Sequence, residues 1–259
     1  MCSPKFGQTH RSAPTENRKI CMDFNVAKNL ARIKEEIAEA CEKSGANPDD
    51  VVIVCVTKYF DHRAIVAAVR DGITHIGENR PMEVRDKFPA ADAVLEGLLG
   101  QGKHYKKHMI GHLQTNKVKV TLDLFDMIQS LDSVRLAEEI QRQAEKNNIE
   151  KVECLIELKV SEEESKTGLD PTGLNELVAT VKGMDRLYIF GVMGMPPFLP
   201  EPEDTRPYFR RLRETFERLK SEQTDRFEMR YLSMGMSHDF KVAVEEGANM
   251  VRIGQALFE

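Results

Sequence analysis

The sequence predicts a single (β/α)8 barrel of the TIM type, and three observations support this prediction. Eight short apolar runs alternate with helical patterns along the chain. One run, VVIVCV at 51–56, is continuous and rich in β-branched residues, which is typical of a strand buried on both faces of a parallel sheet. The length of 259 residues is close to that of one such barrel. A closed barrel therefore explains the alternation better than an open doubly wound sheet does.

The elements follow in order along the chain. The first segment, 1–20, lacks the apolar stretch of a signal peptide and is predicted to be a flexible arm, so that the barrel occupies 21–259. Apolar residues three and four apart predict an extra N-terminal helix at 25–44, which Gly45 ends and which is expected to take the eighth place in the outer ring. The other strands are predicted at 73–77, 108–113, 124–131, 152–160, 187–195, 229–235 and 250–257, and the clearest further helices at 133–147, 171–183, 207–223 and 239–248.

Composition and charge exclude several classes of protein. Asp and Glu number 42 against 37 Lys and Arg, a formal net charge of −5, so no general nucleic-acid or anionic-membrane surface is expected. No apolar stretch reaches the length of about 18 residues that a membrane span needs. The five cysteines are scattered without zinc-like spacing, which predicts free thiols and a cytoplasmic location. Cys55 and Cys154 lie in apolar runs and are expected to pack as small hydrophobic residues.

Candidate reactive residues stand at the carboxyl ends of the strands, where barrels of this kind gather their chemistry. Lys58 follows the first strand, where partial desolvation favours the neutral amine that forms a Schiff base, although a lysine extending to solvent is the alternative. Ser233, Ser237 and Gly254 offer hydroxyl and backbone N–H groups to an anion. Arg252 lies within the eighth strand, where its charge needs a polar ligand or an ion-pair partner. An amine opposite a phosphate site favours a phosphorylated aldehyde such as pyridoxal 5′-phosphate (PLP).

A series of motifs runs in consistent order from about residue 25 to the end of the chain. They are VTKYF (56–60), IGEN (76–79), MIGHLQTNK (109–117), QSLDS (129–133), ESKTG (164–168), GVMGM (191–195), LSMGMSHDF (232–240) and GANMVRIGQALF (247–258). In sequence and spacing the series resembles the pyridoxal-phosphate homeostasis proteins, which are themselves similar to the barrel domain of alanine racemase. The resemblance implies a barrel of the alanine racemase N-terminal domain type with Lys58 as the imine-forming lysine.

The resemblance also implies roles for further residues. Ser237 and Gly254, with Ser233 and Met234 nearby, correspond to the phosphate cradle, and Arg252 would face the pyridine nitrogen. A cation there keeps the nitrogen unprotonated and weakens the ring as an electron sink, which suits a racemase-like or a non-catalytic site. Further correspondences at other strand ends are Asn79, His112 and Lys166.

Three positions depart from the usual family pattern. His238 stands where the phosphate loop commonly has Gly, Pro81 changes the continuation after GEN, and Glu259 replaces a Gly after the final Phe. The imidazole of His238 is expected either to donate to the phosphate or to narrow the loop. These departures bear on affinity more than on the kind of cofactor.

Two other motifs point to different chemistry. GLLGQGK at 97–103 satisfies most of a P-loop pattern, but His104 stands where a Mg²⁺-binding hydroxyl is needed and no firm strand precedes the motif. His104, His108 and His112 are spaced by four, as metal ligands on a helix would be. Gly111 and the apolar residues around it favour a strand, so we expect a solvated basic connection and no metal. Solvated surface segments are also predicted at 102–108 and 162–164.

The sequence leaves two functions open. The first is a protein that binds PLP as a lysine imine and takes part in intracellular PLP homeostasis and delivery, with PLP-dependent apoenzymes as partners. The second is a PLP-dependent amino-acid racemase-like enzyme, which needs an acid or base on each face of the Cα carbanion. In alanine racemase the second base is a Tyr from a further domain, and this chain is expected to have no room for such a domain. The first function, in which the protein stores and delivers PLP, is therefore favoured. The resemblance suggests a monomer or weak homodimer, and no nucleic-acid or membrane partner is expected.

Overall fold

Eight parallel strands form a closed barrel in which each strand pairs with the next along the chain and the last pairs with the first. This computed structural model describes residues 25–161 and 168–259, so the predicted arm at 1–20 and Lys166 lie outside the described residues. The closed barrel confirms the predicted fold class. The strands are β1 Val52–Val56, β2 His75–Glu78, β3 Lys106–Met109, β4 Met127–Leu131, β5 Val152–Leu158, β6 Leu187–Gly194, β7 Phe227–Met236 and β8 Met250–Ile253.

Helices surround the barrel and connect consecutive strands. Most of them present an apolar stripe to the outer wall of the barrel and a charged face to solvent, as amphipathic crossover helices do. The α-helices of the described residues are α1 Val26–Ser44, α2 His62–Arg70, α3 Lys87–Leu99, α4 Val118–Leu124, α5 Val134–Lys146, α6 Leu174–Lys182, α7 Arg206–Leu219, α8 Phe240–Glu245 and α9 Gln255–Phe258.

Helix α1 takes the place in the outer ring that the sequence predicts for it. It lies between α8 and α2 and also contacts α9. The Asn29 amide donates to the Leu257 carbonyl at 3.1 Å, and Lys43 pairs with Glu245 at 2.7 Å. Gly45 ends the helix in the left-handed conformation, with φ of 71°, which glycine adopts without a steric penalty. The helix therefore covers the junction between the last strand and the first.

The largest differences from the predicted boundaries are at β3 and β8. The predicted strand at 250–257 ends at Ile253, and the apolar residues that follow form the short helix α9. The predicted strand at 108–113 corresponds to β3, which begins and ends earlier. Its first residues, Lys106 and Lys107, are accepted in the barrel wall because each ammonium pairs with a carboxylate of a neighbouring element. The predicted start of β3 was wrong because the strand begins with two charged residues, which an apolar pattern does not include.

The segment that resembles a P-loop, 97–103, lies at the end of a helix. Gly97 belongs to the last turn of α3, and Gly100 caps that helix. A P-loop instead precedes the helix whose N-terminus receives the phosphate. The structure therefore excludes the nucleotide-binding alternative for this segment.

Apolar side chains fill the space outside the barrel wall and part of its interior. The outer cluster lies between strands and helices and includes the fully buried Cys55 and Cys154, which confirms their predicted packing role. Burial raises the pKa of both thiols, so they stay protonated. None of the helices described is long and apolar enough to cross a membrane. The inner cluster consists of Val54, Met127, Leu155, Phe190, Met193 and Met250.

Candidate functional site

A cavity of about 900 Å³ opens at the carboxyl ends of the strands. The segments that follow β1, β2, β3, β7 and β8 contribute most of its wall. Six of the nine residues that the sequence predicts for the site line this cavity, whereas Ser233 and Met234 do not and Lys166 lies outside the described residues. The six are Lys58, Asn79, His112, Ser237, Arg252 and Gly254.

Lys58 occupies the turn after β1, and its side chain is half-buried in the cavity wall. Its Nζ lies 4.9 Å from the centroid of the Tyr59 ring. Within the described part of the chain, this amine forms no hydrogen bond and no ion pair. It is therefore available to a ligand that enters the cavity.

Buried polar groups hold the backbone immediately before Lys58. Thr57 Oγ1 donates to Glu78 Oε1 at 2.6 Å, and the Lys87 ammonium donates both to this carboxylate and to the Thr57 carbonyl, the latter at 2.7 Å. The Glu78 side chain is 2% exposed and that of Lys87 is 11% exposed. Because the two charges neutralise each other, they can stay buried behind the strand ends and fix the turn that carries Lys58.

Arg252 lies at the base of the cavity and is 5% exposed. Its Nη1 donates to Ser233 Oγ at 2.8 Å, and its Nη2 donates to the Gly194 carbonyl at 3.0 Å. Burial lowers the pKa of Arg252 to about 10, while the carboxylates of Asp239 and Glu157 favour its charged form. Arg252 is therefore a cation at neutral pH, held by two hydrogen bonds and facing the cavity.

The loop after β7 and the turn after β8 meet at Ser237. Ser237 Oγ accepts hydrogen bonds from the N–H groups of Gly254 at 3.2 Å and Ala256 at 3.3 Å. Since the oxygen accepts both, the hydroxyl proton of Ser237 is free to donate to an anion. Gly254 lets this turn approach β1, because a Cβ at this position would lie 3.2 Å from the Val56 carbonyl oxygen. This corner of the cavity can accommodate a phosphate group.

Ser233 and Met234 have different surroundings from those that the resemblance implies. Ser233 is fully buried inside the barrel, below the cavity, and donates to Gln129 Oε1 at 2.7 Å. Met234 is also fully buried and packs between the barrel and the helices. Successive side chains of a strand point to opposite faces, and both residues precede the end of β7 at Met236. Neither side chain reaches the cavity, and Ser233 acts on it only through Arg252.

His112 and Asn79 line the cavity at the ends of β3 and β2. His112 Nδ1 lies 3.0 Å from Asp132 Oδ2, and the same carboxylate accepts from the Ser133 hydroxyl at 3.1 Å. Because the carboxylate accepts the Nδ1 proton, Nε2 is the acceptor nitrogen of the neutral ring. The backbones meet closely here, since a Cβ at Gly111 would lie 2.5 Å from the Asn79 carbonyl oxygen. The result is an imidazole oriented by a carboxylate in the cavity wall.

The three histidines spaced by four do not form one site. His104 is half-buried and hydrogen-bonds to the Gly100 carbonyl at 2.9 Å, whereas His112 lies at the cavity. His108 is completely buried in the barrel interior, so the prediction of a solvated connection is wrong for this residue. It belongs to β3, whose inward face places every second side chain inside the barrel. Nowhere in the described chain do His, Cys, Asp and Glu form a group that could hold a metal ion.

His108 pairs with His75 inside the barrel. Nδ1 of His75 and Nε2 of His108 are 2.8 Å apart. Burial and, to a smaller extent, the nearby Lys106 ammonium lower the pKa of His75 to about 4. Burial lowers the pKa of His108 well below its ordinary value, with smaller contributions from His75 and Lys106. Both rings are therefore neutral in the native protein at neutral pH.

Mild acid is expected to destabilise the protein through these two rings. Between pH 6.5 and about 4, the unfolded chain binds protons at both histidines while the native barrel excludes them, so the free energy of unfolding falls with pH. Urea unfolding at about pH 7 and about pH 5 measures the change. The variant His75→Gln is expected to lose about 1–2 kcal/mol less than the wild type between these conditions. An equal loss in both proteins would contradict the prediction.

The family departures at the C-terminal side lie at the rim of the cavity. His238 Nε2 donates to the Leu199 carbonyl at 3.1 Å, and its ring lies 5.2 Å from that of Phe198. This contact ties the loop after β7 to the segment after β6. Glu259 lines the cavity and accepts from Gln255 Nε2 at 2.5 Å. His238 thus closes the rim of the cavity with Nε2 already engaged.

Sequence reasoning missed several residues of the cavity wall. Glu157 is 4% exposed, and the charge of its carboxylate acts on Arg252. A signal for it existed, because Glu157 interrupts an apolar strand run just as Arg252 does. The apolar part of the wall carried no such signal. It includes Tyr59, Phe60, Ile110, Met193, Met195 and Phe258.

Comparison with known proteins agrees with this geometry. Residues 28–259 match the family model for the alanine racemase N-terminal domain. A pyridoxal phosphate homeostasis protein of Aquifex aeolicus is 41% identical over 236 residues, covering 91% of this chain and 98% of that protein. A solved structure of an unknown protein from Bifidobacterium adolescentis has a TM-score of 0.82 at 32% identity, covering 90% of this chain and 94% of that one. PipY of Synechococcus elongatus PCC7942, solved with PLP bound, has a TM-score of 0.75 at 29% identity, covering 90% and 100%.

The fold and the site define a barrel of the class that forms the N-terminal domain of alanine racemase. The match to the Aquifex aeolicus protein identifies a more specific family, because it extends over almost the whole of both chains. The chain belongs to the pyridoxal phosphate homeostasis protein family.

Proposed function

We propose that this protein binds PLP in the cavity at the carboxyl ends of the strands and holds it as an imine of Lys58. In this proposal the protein takes part in intracellular PLP homeostasis by delivering the cofactor to PLP-dependent apoenzymes. The observation that carries the proposal is that Lys58, Ser237 and Arg252 line one cavity. Relatives named pyridoxal phosphate homeostasis protein and the PLP-bound structure of PipY support it. The proposal includes a cytoplasmic location and a monomeric or weakly dimeric state, as the sequence predicts.

The residues of the cavity fit a phosphorylated pyridine aldehyde. Lys58 offers an amine to the aldehyde, and the buried guanidinium of Arg252 offers N–H donors to the pyridine nitrogen. Ser237 offers its hydroxyl proton to the phosphate, and Gly254 lets the phosphate approach the backbone. We assign Asn79 and His112 to the same site because both line the cavity wall, and Lys166 remains a sequence-based prediction.

The chemistry of storage is reversible. The Lys58 nitrogen attacks the aldehyde carbon, a C=N bond forms, and one water molecule leaves; addition of water restores the aldehyde and the amine. Arg252 stays charged at neutral pH because its pKa is about 10, so it disfavours a proton on a pyridine nitrogen placed against it. The ring is then a weak electron sink, and the chain's own residues favour holding the cofactor over activating it.

The imine and the delivery step are tested separately. In PLP-loaded protein reduced with borohydride, we expect peptide mass spectrometry to locate the pyridoxyl group on Lys58. Unreduced loaded protein is then added to an apoenzyme together with a phosphatase that destroys free PLP. Recovery of the apoenzyme's activity supports direct delivery, and the reduced protein, whose cofactor is fixed, serves as the control. Label distributed over several lysines, or no recovery, would contradict the proposal.

One observation favours a second function, that of a racemase-like enzyme. The His112 ring, oriented by Asp132, lines the same cavity as Lys58 and could act as a second base. Amino acids incubated with the PLP-loaded protein in deuterated water would then exchange their Cα protons at an enzymatic rate. If the wild-type protein exchanges these protons and both Lys58→Ala and His112→Gln lose the exchange, the racemase-like function replaces PLP storage. If the wild-type protein shows no exchange, PLP storage remains the proposed function.

A further inference from the structure

A chain of hydrogen bonds runs through the barrel interior, away from the cavity. It begins at Arg252, continues through Ser233 and Gln129, and ends at His108 and His75. The successive distances are 2.8, 2.7, 3.0 and 2.8 Å. The three middle residues are 0% exposed. Polar groups at this depth cost free energy unless they are paired, and here each finds a partner in the next.

Arg252 determines the direction of the first bonds in this chain. A guanidinium has donors only, so Ser233 Oγ must accept from it and turns its own proton towards Gln129 Oε1. The amide nitrogen of Gln129 then faces His108 Nδ1 at 3.0 Å and Met250 Sδ at 3.3 Å, and both can accept. His108 therefore accepts at Nδ1 and carries its proton on Nε2.

The same argument extends to His75. His108 donates its Nε2 proton to His75 Nδ1, so the single proton of the neutral His75 ring lies on Nε2. Every donor consequently points from the cavity towards the far end of the barrel. The cation near these rings, Lys106, pairs with Glu153, which also binds Lys151.

We infer that Ser233, Gln129 and His108 are positioning residues, which hold the Arg252 guanidinium in one orientation through this one-way chain. The inference rests on the proposed function, since the oriented N–H groups are those offered to the pyridine ring. The Gly194 carbonyl takes a second N–H at 3.0 Å, so the guanidinium is fixed on two sides and presents the rest of its edge to the cavity. The cofactor site thus depends on buried residues that do not line the cavity.

The direction of the chain is tested on the protein without cofactor. Long-range ¹H–¹⁵N NMR correlations show which ring nitrogen of a histidine carries the proton. At neutral pH we expect His108 and His75 to be protonated on Nε2 and bare on Nδ1. A proton on His108 Nδ1 would overturn the inference. If both histidines have the expected tautomers but the protein binds no PLP, the proposed function is refuted while the direction of the hydrogen bonds stands.

The positioning role is tested by breaking the chain at Gln129. We expect Gln129→Leu to give a mixture of His108 tautomers, to weaken PLP binding about tenfold in an absorbance titration, and to shift the imine absorbance band. Ser233→Ala removes only a hydroxyl and is expected to weaken binding similarly, which keeps the test valid if the leucine variant does not fold. Gln223→Leu, at an exposed position, is the matched control. Unchanged affinity in both chain variants would overturn the positioning role.

A third variant separates the two ends of the chain. Gln129→Glu keeps an acceptor for Ser233 but replaces the amide nitrogen with a second acceptor facing His108. We expect the His108 proton to move to Nδ1, or a second proton to bind, while the Ser233 hydroxyl keeps its acceptor, so that PLP affinity falls less than in Gln129→Leu. A tenfold loss of affinity with an unchanged His108 tautomer would contradict the inference, because a general packing defect produces that result.

Discussion

Replacing Lys58 with alanine is expected to abolish both the imine absorbance of the PLP-loaded protein and the label fixed by borohydride. Among the lining residues of the described chain, Lys58 is the one lysine, so no other lysine of this lining can take over the bond. The proposed noncovalent contacts to Ser237 and Arg252 remain, and we expect PLP to bind at least tenfold more weakly. Absorbance spectroscopy and peptide mass spectrometry measure the two losses.

A stability measurement shows whether this loss is local. The Lys58 amine forms no hydrogen bond or ion pair within the described residues, so Lys58→Ala is expected to unfold at nearly the wild-type temperature. Lys119→Ala, at an exposed position of α4, is the matched lysine variant and should retain the full absorbance. A label that persists in Lys58→Ala would show that another lysine carries the imine.

The variant Glu78→Ala is expected to lower the free energy of unfolding by about 3–5 kcal/mol. It leaves the Lys87 ammonium buried without its carboxylate and removes the acceptor of the Thr57 hydroxyl. Because these groups hold the backbone before Lys58, the variant should also form the imine more slowly. Urea unfolding measures the first effect, and the rate at which imine absorbance appears measures the second.

The double variant Glu78→Leu with Lys87→Met provides the control for charge. Removing both partners leaves no unpaired buried charge, so the double variant is expected to be clearly more stable than Glu78→Ala. The exposed pair of Arg80 and Glu83 lies just beyond β2, and Glu83→Ala should have a far smaller effect on stability than Glu78→Ala. A double variant as unstable as the single one would show that packing, not the lone ammonium, causes the loss.

Much of the candidate site could be predicted because it depends on one rule of barrel architecture. Side chains at the carboxyl ends of parallel strands converge in a barrel. A polar residue that ends an apolar run can therefore be assigned to the cavity at these strand ends from the sequence alone. Lys58, Ser237 and Arg252 were found in this way. Ser233 and Met234 lie three and two positions before the end of β7 at Met236. Which of them faces inward depends on where the strand ends, and the apolar run does not define that end.

The polar interior could not be predicted in the same way. Gln129 and His108 lie on β4 and β3, and Ser233 lies on β7, across the barrel from them. Their contact depends on the inward face of each strand and on the stagger between strands, including the register shift in the pairing of β7 with β8. The periodic pattern of a sequence shows which side chains are apolar. It does not distinguish a buried histidine from one at the surface. The sequence-based interpretation of His108 failed for this reason.

The junction between β1 and β8 has a consequence for the order of events during synthesis. Lys58 follows the first strand and Arg252 lies on the last, and these strands are paired, with Val54 opposite Arg252. Helix α1 covers the junction through contacts that join positions up to 228 apart in the sequence. Such contacts form late, because most of the chain must be synthesised before the ends can meet. A nascent chain that already exposes Lys58 therefore still lacks the residues to which we assign the pyridine ring and the phosphate. In the proposed site, PLP spans the junction and stabilises only the completed barrel.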